Sequence, residues 1–198
     1  MNTTLYAFVG RRGSGKDTAS NLLYNIIEEE QIEGISASFA FADSLKQMAH
    51  RSLDITTPQS EFLKRNPNIK IANNQDLRTY YNNFGDVLKS NFGDDIFRQK
   101  TIQEIQDAID NFDINFITIT DVRYPEEIII LKEFCSLNNI ELISIKLINI
   151  RNPDIDNSHE SESQIDSIET DFTIEAKNVQ EIKTQMEKIY NELHTTTA

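Results

Sequence analysis

The chain has 198 residues, which is enough for one domain with a sizeable buried core. Its 38% hydrophobic and 26% charged residues are typical of a globular protein in water. A formal net charge of −13 repels the phosphates of a duplex, so we expect no nucleic acid as the main partner.

Short apolar runs alternate with amphipathic stretches along the chain. The first half predicts strands at 5–9 and 35–41, helices at 18–30, 44–52, 75–92 and 94–111, and a polar excursion with one helix at 56–74. The second half predicts strands at 115–120, 141–148 and 172–176, helices at 125–137 and 179–193, and an acidic flap at 152–170. This alternation indicates a three-layer α/β/α fold with a five-stranded parallel sheet.

Cysteine usage and hydropathy limit where the chain can work. Cys135 is the single cysteine, which excludes an internal disulfide and a cysteine-based metal cluster. A reducing cytoplasm fits this usage. The N-terminal run at 5–9 has no basic flank, and no run approaches the roughly 20 apolar residues of a membrane span. We therefore expect a cytoplasmic protein without a membrane partner.

The most specific motif is GRRGSGKDT at 10–18, between a predicted strand and a predicted helix. Its glycines let backbone N–H groups turn inward, and the helix N-terminus adds the positive end of its dipole. Lys16 brings a positive charge to the β- and γ-phosphates. The alternative is a glycine-rich connection without a ligand. The residues predicted to bind ATP are Gly10, Arg12, Gly13, Ser14, Gly15, Lys16 and Thr18.

The position after Lys16 departs from the usual phosphate-loop pattern, in which a Ser or Thr there ligates Mg²⁺. Asp17 occupies that position and Thr18 follows it. Asp17 could hold a Mg²⁺-bound water or the groups around an acceptor phosphate, or it could only cap the helix. We expect Mg²⁺ to bind through the phosphates, with Thr18, Asp17 or Asp121 as candidate protein ligands.

A second candidate cluster follows the predicted strand 115–120. Ligands of open α/β sheets bind at the carboxyl ends of strands, where Asp121 could hold Mg²⁺ through water and Arg123 could contact phosphate. An exposed Asp–Arg pair is the alternative. Arg12 and Arg151 either neutralise charge on a transferred phosphoryl group or are solvated.

Two further segments carry candidate polar residues. Arg78 opens a stretch with Tyr80, Tyr81 and Phe84, where an arginine could clamp a phosphate while a ring stacks on a base. Ordinary core packing is the alternative for these aromatic residues. The HESE sequence at 159–162 has no second His or Cys at ligand spacing, so we expect no metal site there.

Five segments, in this order, resemble the phage-type deoxynucleoside monophosphate kinases, within the P-loop nucleoside monophosphate kinases. The matching segments are GRRGSGKDT at 10–18, FADSLK at 41–46, LRTYYNNFGDVLKSNFGDDIF at 77–97, TDVRYPEE at 120–127, and Arg151 followed by HESE at 159–162. The resemblance implies one P-loop kinase domain over 1–198. An acceptor-binding insertion would cover about 42–98, and a lid-like flap about 151–170.

The resemblance implies that ATP phosphorylates a (deoxy)nucleoside monophosphate to the diphosphate by direct in-line transfer, with Mg²⁺ as cofactor. It would act in the cytoplasm, that of the host if phage-encoded, and a homodimer is compatible with the family. The residues implied to act in catalysis are Lys16, Asp17, Asp121, Arg123 and Arg151. The residues implied to bind the acceptor are Asp43, Lys46, Arg78, Asn82, Gly85, Phe97 and Glu127.

Some residues depart from the family pattern, and other functions fit the motifs. Phe97 stands where the family often has Trp, and Asp86 stands where a hydroxyl residue is common. One alternative is a P-loop kinase for another small phosphorylated metabolite, since animal-type phosphomevalonate kinases share a similar loop. Such an acceptor could also be a coenzyme precursor. The other alternative is a nucleotide-binding regulator without turnover.

Overall fold

A computed structural model describes residues 3–30, 34–151 and 164–195 of the chain. The strands are β1 (Thr4–Val9), β2 (Ile35–Phe39), β3 (Ile114–Val122), β4 (Glu141–Asn149) and β5 (Phe172–Ala176). The helices are α1 (Lys16–Glu29), α2 (Phe41–Leu53), α3 (Thr57–Arg65), α4 (Leu77–Phe92), α5 (Ile96–Asn111), α6 (Pro125–Asn138) and α7 (Val179–Thr195). Short 3₁₀ helices cover Ala72–Asn74 and Ile165–Ser167.

The strands form one five-stranded sheet in the order β2-β3-β1-β4-β5, and each neighbouring pair is parallel. β1 lies in the middle and all of its residues are buried. Strands covered on both faces read as continuous apolar runs in the sequence, which is why β1 could be predicted. The predicted α/β fold with a five-stranded parallel sheet and flanking helices is confirmed.

The ends of several elements differ from the prediction. β2 ends at Phe39, and Phe41 is already the first residue of α2. The apolar run 35–41 was predicted as one strand because periodicity does not separate a strand end from a buried helix start. β3 continues through Asp121 to Val122, whereas the predicted strand ended at residue 120.

The polar excursion predicted at 56–74 contains α3 and one of the 3₁₀ helices. α3 starts with a capping box: the Thr56 N–H donates to Gln59 Oε1 at 2.7 Å, and the Gln59 N–H donates to Thr56 Oγ1 at 3.4 Å. Pro58 lies in its first turn, where a missing N–H costs nothing. The local capping signals therefore account for the helix predicted within this segment.

The chain divides into two compact units, one of Met1–Ala40 with Ile105–Ala198 and one of Phe41–Glu104. The first unit holds the sheet, and its core packs α1 and α7 on the central strands, with Leu23, Ile145 and Met186 fully buried. The second unit has a smaller cluster around Ala49 and Leu77. The assignment of the whole chain to one kinase domain stays a prediction.

Helix α7 is amphipathic: it buries Ile182, Met186 and Ile189 on one side and exposes polar residues on the other. In the part of the chain that the structure describes, no helix combines the length and apolar character needed to cross a membrane.

Candidate phosphate-binding site

The segment between β1 and α1 is a tightly curled glycine loop. Gly10, Gly13 and Gly15 have φ values of 156°, 74° and 102°, which residues with a side chain rarely adopt. Gly15 is the N-cap of α1 and has no side chain that could cap the first-turn N–H groups. Those N–H groups and the helix dipole favour an anion at this end of α1.

Lys16 follows the loop as the first residue of α1 and is only 6% exposed. Its Nζ donates to the carbonyl oxygens of Gly10 at 2.6 Å and Arg11 at 2.8 Å. The two carbonyl oxygens orient the ammonium, and a positive charge acts strongly where water is scarce. The buried Ser14 Oγ has no hydrogen-bond partner among the described residues. A buried hydroxyl without a protein partner normally hydrogen-bonds to an ordered water or to a ligand oxygen.

The end of β4 and the 3₁₀ helix Ile165–Ser167 support the loop from one side. Asn149 Nδ2 donates to the Gly13 carbonyl at 3.2 Å. Arg11 Nη2 donates to Asp166 Oδ2 at 2.8 Å, and this ion pair is partly exposed. Such a pair contributes up to about 1 kcal/mol and mainly orients the two side chains. These contacts join residues far apart in the sequence, and no local sequence pattern predicts them.

Asp121 lies in a β-bulge next to the loop. Ala7 pairs with Ile119 but Val9 pairs with Val122, so β3 has one residue more than β1 over this stretch. Bulges redirect side chains and are frequent beside functional sites. The Gly10 N–H donates to the Val122 carbonyl at 3.4 Å, which links the bulge to the loop. The structure therefore brings Asp121 close to the phosphate loop in the first unit.

The connection from β3 to α6 is fixed by Glu127, which is buried in the first turn of that helix. Its Oε2 accepts from the Arg123 N–H at 2.7 Å and from the Tyr124 N–H at 3.1 Å. This carboxylate caps α6 and holds the backbone of Arg123, two residues after Asp121. Glu127 thus has a positioning role, while its direct contact with an acceptor stays a prediction.

Oxygen ligands suited to Mg²⁺ are available at this site. The Asp17 carboxylate and the Thr18 hydroxyl lie in the first turn of α1, and Asp121 is half-buried in the bulge of β3. Hydroxyl and carboxylate oxygens are the donors that Mg²⁺ prefers. Among the described residues, no group of three or more His, Cys, Asp or Glu side chains forms a complete metal site. The donor set fits a Mg²⁺ that arrives with the nucleotide phosphates and keeps several waters.

The acceptor residues predicted on α4 lie in the second unit. Arg78 and Asn82 are exposed on successive turns, and Gly85 is buried one turn further. A Cβ on Gly85 would lie 3.3 Å from Leu45 Cδ2 and 3.9 Å from Phe97 Cε2, so α2 and α4 pack closely here. Phe97 is buried. Packing therefore explains Gly85 and Phe97, and their predicted contact with an acceptor stays untested.

The remaining candidates lie on α2, in the phosphate loop and directly after β4. Asp43 and Lys46 form an ion pair on α2, with Lys46 Nζ 3.0 Å from Asp43 Oδ1. Arg12 and Arg151 are exposed, and the Arg151 N–H donates to Asn149 Oδ1 at 3.0 Å. The HESE sequence at 159–162 and most of the predicted flap lie outside the described residues.

The second unit also contains a partly buried hydrogen-bond chain that the sequence did not reveal. His50 Nε2 lies 2.6 Å from the Tyr81 hydroxyl, which also hydrogen-bonds Ser60. Ser60 Oγ in turn donates to the Thr57 carbonyl at 2.8 Å. The chain joins α2, α3 and α4.

The surroundings of His50 favour its neutral form. Burial lowers the pKa of His50 below its ordinary value of 6.5, and the positive charges of Lys64 and Lys46 lower it further. Glu61 acts in the opposite direction and does not outweigh them. The folded state therefore binds this proton less readily than the unfolded chain.

We expect the stability contributed by neutral His50 to be fully present above about pH 6.5 and to fall as the pH drops below it. His50→Gln removes the titrating group, so its urea midpoint should fall less between pH 7.5 and pH 5. Urea titrations followed by circular dichroism measure this. Identical pH dependence in wild type and His50→Gln would contradict the assignment.

Comparisons with known proteins identify the fold. No protein-family model matches the chain, and no curated protein matches its sequence. The Mycobacterium tuberculosis APS kinase CysC in complex with AMPPNP and APS superposes with a TM-score of 0.53 at 13% identity, covering 97% of this chain and 98% of that chain. Thymidylate kinase from Candida albicans superposes with a TM-score of 0.46 at 12% identity, covering 97% of this chain and 92% of that chain, which is too distant to support a conclusion.

The sheet, the flanking helices and the superposition define the architectural class: the chain has the α/β fold of P-loop kinases. The glycine loop occupies the place between the central strand and the first helix that a phosphate loop requires. A likeness at this level of identity establishes the fold, and the reaction has to be argued from the residues of this chain.

Proposed function

We propose that the protein is a kinase that transfers the γ-phosphoryl group of ATP to a nucleoside monophosphate, with a deoxynucleotide as the favoured acceptor. The observation that carries this proposal is the loop around Lys16. A buried ammonium, a buried Ser14 hydroxyl without a partner among the described residues, and an uncapped helix N-terminus occur together there. This combination suits the triphosphate end of a nucleotide.

Transfer in this mechanism needs positioning and charge stabilisation more than acid–base chemistry. The acceptor phosphate is already an anionic nucleophile, so no strong general base is required. Lys16 stabilises the negative charge that spreads over the transferring phosphoryl group, and Arg123, held by Glu127, is the proposed second cation. Mg²⁺ supplies further charge neutralisation when it is bound with ATP.

The acceptor side of the proposal rests on exposed polar residues of the second unit and on the sequence resemblance. Arg78 and Asn82 lie one turn apart on α4 and are accessible to a ligand. A guanidinium can bind a terminal phosphate through two hydrogen bonds, and an amide can bind a sugar or base. Arg151, at the start of the proposed flap, would add charge when the flap covers the nucleotides and excludes water.

A coupled assay of ADP formation tests the proposal directly. The purified protein is given Mg-ATP with each common ribo- and deoxynucleoside monophosphate, and with APS because the superposed kinase binds it. We expect one ADP and one nucleoside diphosphate per turnover, formed only when a monophosphate acceptor is present.

Two outcomes would contradict the assignment. ADP formation with APS or with a non-nucleotide phosphate, but with no nucleoside monophosphate, would point to a kinase for another small metabolite. ATP binding without ADP formation for any acceptor would point to a nucleotide-binding regulator. Lys132→Ala, at an exposed position of α6, controls for the loss of a lysine elsewhere and should leave turnover unchanged.

A further inference from the structure

β2 is the least buried strand of the sheet. It lies at the edge and pairs with β3 alone, and its first residue, Ile35, is 48% exposed. By contrast, every residue of the central strand β1 is buried. An edge strand with so little apolar burial opens more readily than the strands of the core. Additional contacts are therefore needed to hold β2 in place.

A cluster of hydroxyl groups supplies such contacts. The Tyr24 hydroxyl donates to the Ala37 carbonyl of β2 at 2.9 Å and lies 2.8 Å from Thr118 Oγ1 of β3. Thr118 Oγ1 also lies 3.0 Å from Ser38 Oγ of β2 and 3.1 Å from Ser20 Oγ of α1. Thr118 and Ser20 are buried. The hydroxyl cluster thus ties α1 to both β2 and β3.

The cluster lies on the same side of α1 as the lysine of the phosphate loop. Lys16, Ser20 and Tyr24 are spaced four residues apart, so their side chains share one face of the helix. Tyr24 therefore lies about two turns along the helix that begins at Lys16, while the buried apolar residues of α1 hold the helix itself. Burial raises the pKa of the Tyr24 hydroxyl, which therefore keeps the proton that it donates to Ala37.

The position of β2 matters because the chain runs from this strand directly into the second unit. Phe41 is the first residue of the second unit and comes shortly after Phe39, the last residue of β2. The proposed acceptor residues Asp43 and Lys46 lie in α2, the first helix after this strand. Only Ala40 separates the last residue of β2 from the first residue of α2.

We propose that Tyr24 is a positioning residue for phosphoryl transfer: its hydroxyl holds β2 against α1 at Ala37 and so keeps in place the strand from which the chain continues to the proposed acceptor residues. The inference rests on the proposed function for its kinetic consequences. The restraint of β2 is independent of the proposed function, because the hydrogen bonds show it directly. A reacting pair that is misplaced by about 1 Å can lose about 100-fold in rate.

Tyr24→Phe is the variant of choice, because it removes the hydroxyl and keeps the ring. We expect amide hydrogen exchange in β2 to become about tenfold faster, as expected for the loss of a partly buried hydrogen bond, while exchange in β1 and β4 stays unchanged. Tyr190→Phe is the matched control: its hydroxyl is buried in the first unit without a hydrogen-bond partner among the described residues. That control should leave exchange in β2 as in the wild type.

The kinetic readouts separate positioning from a general loss of structure. In Tyr24→Phe the Kd for AMPPNP should stay within about twofold of the wild type, because the phosphate loop is intact. The kcat for transfer should fall about tenfold, and the ratio of ATP hydrolysed by water to ATP used for transfer should rise. Equal losses in AMPPNP binding and in transfer would overturn the positioning role.

Variants at Thr118 provide an independent check from the other side of the cluster. Thr118→Ser keeps the central hydroxyl and should retain slow exchange in β2, whereas Thr118→Val removes it and should reproduce the effect of Tyr24→Phe. Unchanged β2 exchange in both Tyr24→Phe and Thr118→Val would overturn the inference. If the wild-type protein transferred phosphate to no acceptor, the proposed function would be refuted. The exchange rates of the β2 amides would still show whether the hydroxyl cluster restrains β2.

Discussion

Lys16→Ala is expected to lower kcat for phosphoryl transfer by at least about 100-fold, the typical loss when one charge-stabilising group is removed from an active site. The ammonium is buried and oriented by the carbonyl oxygens of Gly10 and Arg11. Alanine at this position leaves those carbonyls without the donor and removes the positive charge from the loop. Steady-state kinetics with Mg-ATP and the best acceptor measure the effect.

The control for Lys16→Ala is Lys132→Ala, which removes an equal charge from an exposed site on α6. Its kcat should match the wild type. Thermal unfolding of both variants shows whether a loss of activity reflects a loss of fold. A folded Lys16→Ala protein with near-normal turnover would refute the role of the loop in catalysis.

Gly10→Ala is expected to weaken AMPPNP binding by about ten- to 100-fold. A Cβ at this position would lie 2.6 Å from Ser14 Oγ and 2.7 Å from the Leu147 carbonyl oxygen, and the backbone has a φ of 156°. Leu147 is buried within β4, so its carbonyl cannot move aside, and the loop has to shift instead. Overpacking of this kind costs about 1–3 kcal/mol, which corresponds to the expected loss in affinity. Calorimetric titration with AMPPNP measures it.

Gly93→Ala provides the matched control for Gly10→Ala. Gly93 also has a positive φ, of 101°, and its added Cβ would lie 3.0 Å from Asp95 Oδ1, the end of a flexible side chain. This variant should lose stability through backbone strain but bind AMPPNP as the wild type does. If both variants bound AMPPNP with wild-type affinity, the loop would have no part in nucleotide binding.

The loop and the sheet could be predicted because their signals are local. Glycines, Lys16 and the flanking apolar runs lie within one short segment, and buried parallel strands read as continuous apolar runs. The end of β2 could not be predicted in this way. The side chains of Phe39 and Phe41 are equally apolar, and only the packing of α2 decides that the second one begins a helix.

The candidate site was predicted in part. The sequence indicated Asp121 and Arg123 but not the bulge that places Asp121, because a bulge is a property of pairing between two strands. It also contained no sign of the Tyr24–Thr118 contact, which joins residues 94 positions apart. Predictions for Gly85 and Phe97 came from resemblance, and the structure shows that both are packed between helices.

The extra residue in β3 makes the site depend on the number of residues as well as on their identity. Side chains alternate between the two faces of a strand, and the bulge places one more residue of β3 between the pairs Ala7–Ile119 and Val9–Val122 than a regular ladder would hold. Deleting Thr120 would remove the extra residue: Asp121 would follow Ile119 directly while Val122 stayed opposite Val9, and the bulge that places the carboxylate beside the loop would be lost. In-frame single-codon deletions at this point should therefore be tolerated far less than substitutions of Thr120.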